Sequence, residues 1–186
     1  MQFDVVAIGG GFAGLITANR CAQLGLRTAM LEKETAERYL CNSRYTTGIA
    51  HILFQDMRLP GDKLLEVINQ GTEGEADPAL AKVFADNSRR AIDWLVSEGG
   101  RYIMVNAPTG KSIMLAPPRR FKQGLDWERR GADFLLRKLE ANLGNRGGRV
   151  IRGADVRALA MQNGSCVGVD ADLGGKSERI GAILHG

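Results

Sequence analysis

Three glycines near the start of the chain, followed by one glutamate, have the spacing of a site that binds a dinucleotide. Gly9, Gly11 and Gly14 form a G-x-G-x-x-G pattern, and Glu32 ends the next apolar run. The first glycine permits a tight turn, the second lets the backbone approach a pyrophosphate, and the third lets a helix pack close to a strand. The Glu32 carboxylate is suited to accept hydrogen bonds from ribose hydroxyls.

The elements that must hold these residues lie in the same stretch. Residues 3–8 form an apolar run typical of a buried parallel strand, and residues 28–31 form a second one. Between them lies a predicted helix that ends at Gly25, with an apolar face made of Leu15, Ala18, Ala22 and Leu24. Its N-terminus would offer free N–H groups to a phosphate. Strand, turn, helix, strand and acid in this order favour dinucleotide binding over a turn without a ligand.

The Glu32 carboxylate also bears on which dinucleotide is bound. A negative charge at this place repels a 2′-phosphate, so NADP is disfavoured. FAD and NAD both remain open on this motif alone.

Composition excludes several classes of function. The chain has 186 residues with a net charge of +4, and 44% of its residues are hydrophobic. This is enough for one globular domain with or without a small insertion. The sequence has no dense Lys/Arg tract, so nucleic-acid binding is not indicated. No apolar run is long enough to cross a bilayer. The first strand starts close to Met1, which leaves no room for a signal peptide, so a cytoplasmic location is expected.

Cysteines and histidines give no sign of a metal site. Cys21, Cys41 and Cys166 are scattered, with neither the spacing of metal ligands nor that of a disulfide framework. The two histidines are too few for most metal centres. We therefore expect no bound metal.

The rest of the chain predicts a helical excursion and a return to mixed structure. Asp77 and Pro78 are a good helix start, and Asn163-Gly164 is a strong hairpin signal. Residues 35–56 lack periodicity and are predicted to be a loop. The further predictions are helices at 61–70, 77–98 and 130–143, an extended or irregular stretch at 101–118, and strands at 149–152, 155–162, 166–172 and 180–184. The chain ends on a buried-strand pattern with no helix after it, so we expect a domain cut before its architecture closes.

Four segments carry a resemblance to a known family. They are VVAIGGGFAGLITA with LEK at 31–33, NSRYTTG at 42–48, the stretch 77–100, and the stretch 129–159 together with GSCVGVDAD and IGAILHG. Together they resemble the N-terminal part of the flavoprotein subunits of fumarate reductases and succinate dehydrogenases, a family with soluble tricarballylate and 3-ketosteroid dehydrogenase-like members.

The resemblance implies an α/β fold: a Rossmann-like, glutathione-reductase-type FAD-binding domain with a parallel sheet, interrupted by a partial helical capping insertion. Residues 1–56 and 119–186 would form the two parts of the FAD-binding domain, the second truncated at its C-terminus. Residues 57–118 would form the partial capping segment.

The resemblance also implies a set of cofactor-binding residues. Glu32 would hold the adenosine ribose with Lys33 beside it, and Val156 would meet the adenine through its backbone. The diphosphate would lie against Gly9, Gly11, Phe12, Ala13 and Gly14, with His185 and Gly186 near it, and the flavin side would be lined by Asn42, Ser43, Thr47 and Gly48.

Three positions depart from the family pattern. The family often has Gly-Gly where this chain has Leu40-Cys41, and again where it has Gly48-Ile49. Members that bind FAD covalently carry a histidine where this chain has Asn42, so non-covalent FAD is expected.

The implied activity is hydride transfer between the flavin and a small carboxylate or enone-like substrate. The family's proton-transfer and substrate-binding residues come from later in its chains, so no catalytic residue is assigned and these residues alone are expected to be inactive. The electron partner is not indicated. The alternatives are a non-catalytic dinucleotide-binding module and an NAD-linked dehydrogenase.

Overall fold

The computed structural model describes residues 1–108, 110–116 and 130–182. The chain forms two compact units. The first joins Met1–Arg44 to Leu136–Gly186, and the second is the intervening segment Tyr45–Leu135. The first unit is therefore discontinuous in sequence.

The described part of the chain contains both helices and strands. The helices are α1 Phe12–Gln23, α2 Asn42–Tyr45, α3 Gly61–Gly71, α4 Pro78–Ser97 and α5 Gly131–Asn145. The strands are β1 Gln2–Phe3, β2 Val5–Ile8, β3 Thr28–Glu32, β4 Ile49–Ile52, β5 Gln55–Asp56, β6 Tyr102–Ala107, β7 Gly110–Leu115, β8 Arg149–Arg152, β9 Ala154–Gln162, β10 Ser165–Leu173 and β11 Ser177–Ala182.

A three-stranded parallel sheet forms the centre of the first unit. Its order is β2-β3-β8, and β3 pairs with both neighbours in parallel. Every residue of β3 is buried, as expected for a strand covered on both faces. Helix α1 connects β2 to β3, which is the predicted strand–helix–strand unit.

A second sheet of the first unit has the order β1-β11-β10-β9. Strands β9 and β10 form the predicted hairpin, and Asn163 and Gly164 both have positive φ angles (49° and 80°), as a two-residue turn of this kind requires. The apolar core includes Phe3, Leu31 and Ile180. The predicted last strand starts earlier than expected, at Ser177, and its residues 183 and 184 lie outside the described residues.

The predicted first strand, residues 3–8, is wrong in one respect, because it is two strands in different sheets. Strand β1 pairs with β11, whereas β2 pairs with β3. The break falls at Asp4, whose carboxylate accepts a hydrogen bond from the Arg27 backbone N–H (2.7 Å) and forms an ion pair with its guanidinium (2.6 Å). The N–H groups of Asp4 and Val5 both donate to the Arg27 carbonyl oxygen, so the chain changes partners here.

Helix α1 ends where the sequence predicts. Gly25 has φ of 83°, and the N–H groups of Gly25 and Leu26 donate to the carbonyl oxygens of Ala22 and Cys21, as in a Schellman end. Within α1, the buried Asn19 amide donates to the Leu139 carbonyl oxygen (2.8 Å). This bond fastens α1 to α5 within the first unit.

The second unit contains α3 and α4, both within a residue or two of their predicted bounds, and a four-stranded antiparallel sheet of order β5-β4-β7-β6. The predicted loop at 35–56 is therefore partly wrong, because it contains α2, β4 and β5. The stretch 101–118 forms the hairpin β6–β7 as far as it is described. The turn between β4 and β5 uses Leu53 and Phe54 at φ of 46° and 67°, residues that give no turn signal in the sequence.

In the part of the chain that the structure describes, no helix combines the length and the apolar character needed to cross a bilayer.

The start of α4 gives a first testable prediction. Asp77 is its N-cap, and one carboxylate oxygen accepts the Leu80 N–H (2.9 Å). We expect Asp77→Ala to lower the free energy of unfolding by about 1 kcal/mol, because an N–H at the helix start loses its acceptor. Urea titration followed by circular dichroism measures the change.

Asp77→Asn is the matched control, since its side-chain oxygen can still accept the same N–H. It should keep most of the stability. An equal loss in both variants would contradict the capping role and point to the charge instead.

Candidate cofactor site

The glycine turn lies between β2 and α1, with its backbone held by β3. Gly9 has φ of 91°, a conformation open mainly to glycine, and its N–H donates to the Leu31 carbonyl oxygen (2.7 Å). The Gly10 N–H donates to Oε2 of Glu32 (2.9 Å). Gly11 is the N-cap of α1 and has no side chain to bond the first helical N–H groups. The turn thus has no side chain at its tip, and residues of β3 hold two of its N–H groups.

Gly14 brings α1 against the end of β2. A Cβ atom added at Gly14 would lie 1.9 Å from the carbonyl oxygen of Gly9. No side chain can be placed there unless the helix moves away from the strand. The close helix–strand packing that the G-x-G-x-x-G spacing predicts is therefore a property of this turn.

Glu32 is a buried carboxylate at the end of β3, with 5% of its surface exposed. Its Oε2 accepts the Gly10 N–H, and its Oε1 accepts the Glu34 N–H (3.0 Å). It also lines a cavity of about 260 Å³, together with Gly9, Lys33 and Val156. Each carboxylate oxygen has a second lone pair. Glu32 can therefore accept hydrogen bonds from the hydroxyl groups of a molecule in this cavity while it holds the turn.

The predicted residues of the loop after β3 differ in their contacts. The hydroxyl oxygen of Ser43 accepts the Phe12 N–H (3.0 Å), and a Cβ atom at Gly11 would lie 3.1 Å from it. Ser43 therefore lies at the N-terminus of α1. Asn42 is the first residue of α2, and both Asn42 and Ala13, in the first turn of α1, are exposed.

Four further predicted residues lie in the second unit or outside the described residues. Thr47 and Gly48 belong to the second unit, where Gly48 has φ of 75° and its carbonyl oxygen accepts the Leu115 N–H (3.0 Å). His185 and Gly186 lie outside the described residues.

Two side chains at the turn were not predicted from the sequence. Tyr39 is buried and donates its phenol O–H to the Gly10 carbonyl oxygen (2.7 Å), and Arg44 is buried beside it. Both come from a stretch without hydrophobic periodicity, where nothing distinguishes a residue that packs inward. The run of three glycines at 9–11 was the available signal that Gly10 also faces a close neighbour.

A larger apolar cavity, of about 630 Å³, lies within the second unit beside α3 and α4. Its polar side chains are all bonded to the backbone of their own helices: Thr72 to Ile68, Asp77 to Leu80, Asn87 to Val83 and Ser88 to Phe84. These are local bonds at the ends and within the turns of α3 and α4, and the rest of the cavity lining is apolar. Within the described ranges, no group of three or more His, Cys, Asp or Glu side chains could hold a metal ion.

The glycine turn, the buried carboxylate and the adjoining cavity define a nucleotide-binding α/β protein. The sequence matches the family described as FAD binding domain over residues 4–184, and the chain belongs to that family. This membership confirms the predicted Rossmann-like fold class and FAD as the cofactor. The turn fits this group, because Gly9 and the Glu32 carboxylate line one cavity, and the N-terminus of α1, capped by a glycine without a side chain, follows directly along the chain.

Two curated relatives illustrate the similarity. The chain is 26% identical over 116 residues to a fumarate reductase (cytochrome) of Shewanella frigidimarina, which covers 59% of this chain and 20% of that protein. It is 58% identical over 33 residues to the dihydrolipoyl dehydrogenase of Bacillus subtilis, 18% of this chain and 7% of that protein. The chain spans about a fifth of the length of the fumarate reductase it matches.

Solved structures share the fold. The 3-ketosteroid-Δ4-(5α)-dehydrogenase of Rhodococcus jostii RHA1 superimposes with a TM-score of 0.80 at 16% identity, over 97% of this chain and 44% of that one. The open conformation of a flavocytochrome c3 fumarate reductase gives 0.70 at 17% identity, over 97% and 32%. At these identities the likeness concerns the fold.

The contact at Gly14 generates a second prediction. We expect Gly14→Ala to destabilise the protein by about 1–3 kcal/mol or more, because the added methyl group overlaps the Gly9 carbonyl oxygen. Thermal and urea unfolding of the purified variant measure the loss.

Gly144→Ala is the matched control, because it makes the same change in a helix, α5, where a Cβ would meet nothing within 4 Å. It should stabilise the protein by up to about 1 kcal/mol through helix propensity. If Gly14→Ala behaved like Gly144→Ala, the close approach of α1 to β2 would be refuted.

Proposed function

We propose that this chain is the FAD-binding part of an oxidoreductase that transfers hydride between the flavin and a small carboxylate or enone-like substrate. The proposal rests above all on the buried Glu32 carboxylate, which lines a cavity directly beside the glycine turn. The family match over residues 4–184 supports the cofactor, and the named relatives support the reaction class.

The proposed binding mode follows from the donors and acceptors of the first unit. The diphosphate lies at the N-terminus of α1, where the N–H groups of Gly11 and Ala13 are available to it. Ser43, whose oxygen already holds the Phe12 N–H, can donate its hydroxyl proton there. The ribose hydroxyls bond to Glu32. The adenine enters the cavity beside Val156.

The flavin side of the site is proposed to involve Asn42, Thr47 and Gly48, with His185 and Gly186 near the diphosphate. Since Asn42 has no nucleophilic nitrogen comparable to a histidine ring, the cofactor is proposed to be held without a covalent bond. The second unit is proposed to carry the beginning of a capping segment, with residues 57–118 as its core.

When bound, FAD would supply the hydride chemistry, and the protein would bind it, orient it and exclude water. A carboxylate at Glu32 disfavours a 2′-phosphate, which favours FAD over NADP as the bound dinucleotide. The family match favours FAD over an NAD-linked dehydrogenase. A non-catalytic dinucleotide-binding module stays the second candidate, because no described residue is assigned a role in proton transfer.

The role proposed for Glu32 generates a third prediction. The purified protein should be yellow, with a flavin absorbance near ~450 nm. Glu32→Ala should raise the FAD dissociation constant by about 10- to 100-fold, because the ribose loses a charged acceptor and the Gly10 N–H loses its partner. Equilibrium dialysis with absorbance detection measures the FAD dissociation constant of the original protein and of Glu32→Ala.

Glu37→Ala is the control, since Glu37 is an exposed carboxylate in the same loop. It should retain FAD like the unchanged protein. Colourless protein that takes up NAD instead would refute the proposed cofactor site, and full retention of FAD by Glu32→Ala would refute the role of the carboxylate.

A fourth prediction concerns activity. The chain spans 20% of the fumarate reductase it matches, and no described residue is assigned to proton transfer. Catalysis needs a proton donor within hydrogen-bond reach of the reacting atoms. We therefore expect the FAD-loaded, photoreduced chain to reduce neither fumarate nor a steroid enone at an enzymatic rate.

Anaerobic stopped-flow mixing with a panel of unsaturated acids and enones tests this expectation. Rapid reoxidation of the flavin by any one of them would place a complete catalytic set within residues 1–186.

A further inference from the structure

Tyr39 lies directly against the glycine turn of the proposed cofactor site. Its side chain is 1% exposed, and its phenol O–H donates to the Gly10 carbonyl oxygen at 2.7 Å. A Cβ atom added at Gly10 would lie 2.5 Å from the Tyr39 ring. Gly10 therefore lacks a side chain because the tyrosine ring occupies that space.

The bond from Tyr39 fixes the direction of a neighbouring N–H group. The peptide between Gly10 and Gly11 is planar and trans, so its C=O and N–H bonds point in opposite directions. Because the carbonyl of Gly10 points to Tyr39, the N–H of Gly11 points away from it, and that group is one of the first donors of α1. On the other side of Gly10, its own N–H is held by Glu32. Both peptide groups that flank Gly10 are therefore oriented by side chains.

Arg44 packs against Tyr39 and holds it in place. It is fully buried, its Nε–H donates to the Tyr39 carbonyl oxygen (2.6 Å), and its guanidinium lies 4.7 Å from the ring centroid. Arg152 also faces this ring, at 5.7 Å, and is paired with Glu140 (2.8 Å). Three elements thus each contribute one charged residue to the surroundings of Tyr39: α2 contributes Arg44, α5 contributes Glu140 and β8 contributes Arg152.

The phenol stays a donor over the working range of pH. Burial of the ring, and after it the neighbouring carboxylate of Glu140, raise the pKa of Tyr39 well above its usual range. Its proton is therefore retained, and the bond to Gly10 does not depend on pH near neutrality.

We propose that Tyr39 is a positioning residue of the cofactor site, which orients the Gly10–Gly11 peptide so that the N–H groups at the start of α1 meet the diphosphate of FAD. This inference rests on the proposed FAD site and adds a residue that the family pattern of glycines and acid does not include.

Tyr39→Phe tests the proposal, because it keeps the ring and removes only the O–H. Binding of FAD, ADP and adenosine is measured by isothermal titration calorimetry for the original and changed proteins, after removal of any bound flavin. We expect about 5- to 20-fold weaker binding of FAD and ADP, as for the loss of one hydrogen bond that preorganises the site. Adenosine has no phosphate, so its affinity should change less than about twofold on the same reasoning.

Tyr102→Phe is the matched control, since Tyr102 is a half-buried tyrosine of β6 in the second unit. It should leave all three affinities unchanged. Arg44→Lys is a second variant, which keeps the positive charge and loses the Nε–H donor to the Tyr39 carbonyl oxygen. We expect it, too, to weaken the binding of ADP more than the binding of adenosine.

The outcomes separate this inference from the proposed function. If the original protein binds no FAD, the proposed function fails and the inference with it. If the original protein binds FAD and Tyr39→Phe binds FAD and ADP equally well, only the inference is overturned. Equal losses for ADP and adenosine would also overturn it, because they would show a general structural role and not orientation of the diphosphate donors.

Discussion

At Gly10 and Gly14 the turn from β2 into α1 leaves no space for a side chain, and the arrangement of the proposed nucleotide site depends on this constraint. A Cβ at Gly14 would lie 1.9 Å from the Gly9 oxygen, and one at Gly10 would lie 2.5 Å from the Tyr39 ring. The backbone is therefore the surface that a ligand meets at the start of α1. Backbone N–H groups at a helix start are suited to anions, so a diphosphate can be bound without a lysine or arginine at the turn itself. Glu32 then serves two purposes, since one carboxylate holds the turn and faces the cavity.

The charged residues behind the turn are better explained by positioning than by stability. Arg44 is fully buried, and its guanidinium lies 3.8 Å from the Glu140 carboxylate, too far for a direct hydrogen bond between these two groups. Removal of a charge from water costs several kcal/mol per ion, and a buried ion pair often returns no net stability against an apolar replacement. Two of the contacts of Arg44 are made to Tyr39: a 2.6 Å hydrogen bond to its carbonyl oxygen and a cation–π contact with its ring. Those contacts fix one side chain in one orientation, and that side chain in turn fixes Gly10.

Sequence patterns predicted the elements whose residues repeat with a clear period or carry a strong end signal. Helix α4 has an Asp77-Pro78 start and α1 has Gly25 at its end, and the β9–β10 hairpin has Asn163-Gly164; all three formed as predicted. The strands that were missed are held by tertiary contacts, because β4 pairs with β7, far along the chain, and turns at Leu53 and Phe54 without a glycine. The glycines of the turn were predictable because only glycine allows so close an approach of the backbone. Glu32 was predictable because it ends the strand that follows the glycine turn and helix. Tyr39 was not, because its partner is a carbonyl oxygen, which every residue has.

The same distinction explains why the cofactor of this chain is better defined than its substrate. The contacts proposed for the diphosphate and ribose come mostly from backbone groups and one carboxylate. They follow from the fold, which a steroid dehydrogenase shares at a TM-score of 0.80 and only 16% identity. Recognition of a substrate depends on side chains placed on that fold, and one fold hosts many of them. A protein can therefore keep its dinucleotide site intact while the chemistry beside it diverges. In this chain the residues that hold the turn, Glu32 and Tyr39, lie within the first unit, so the turn is oriented by that unit's own sheet and loop.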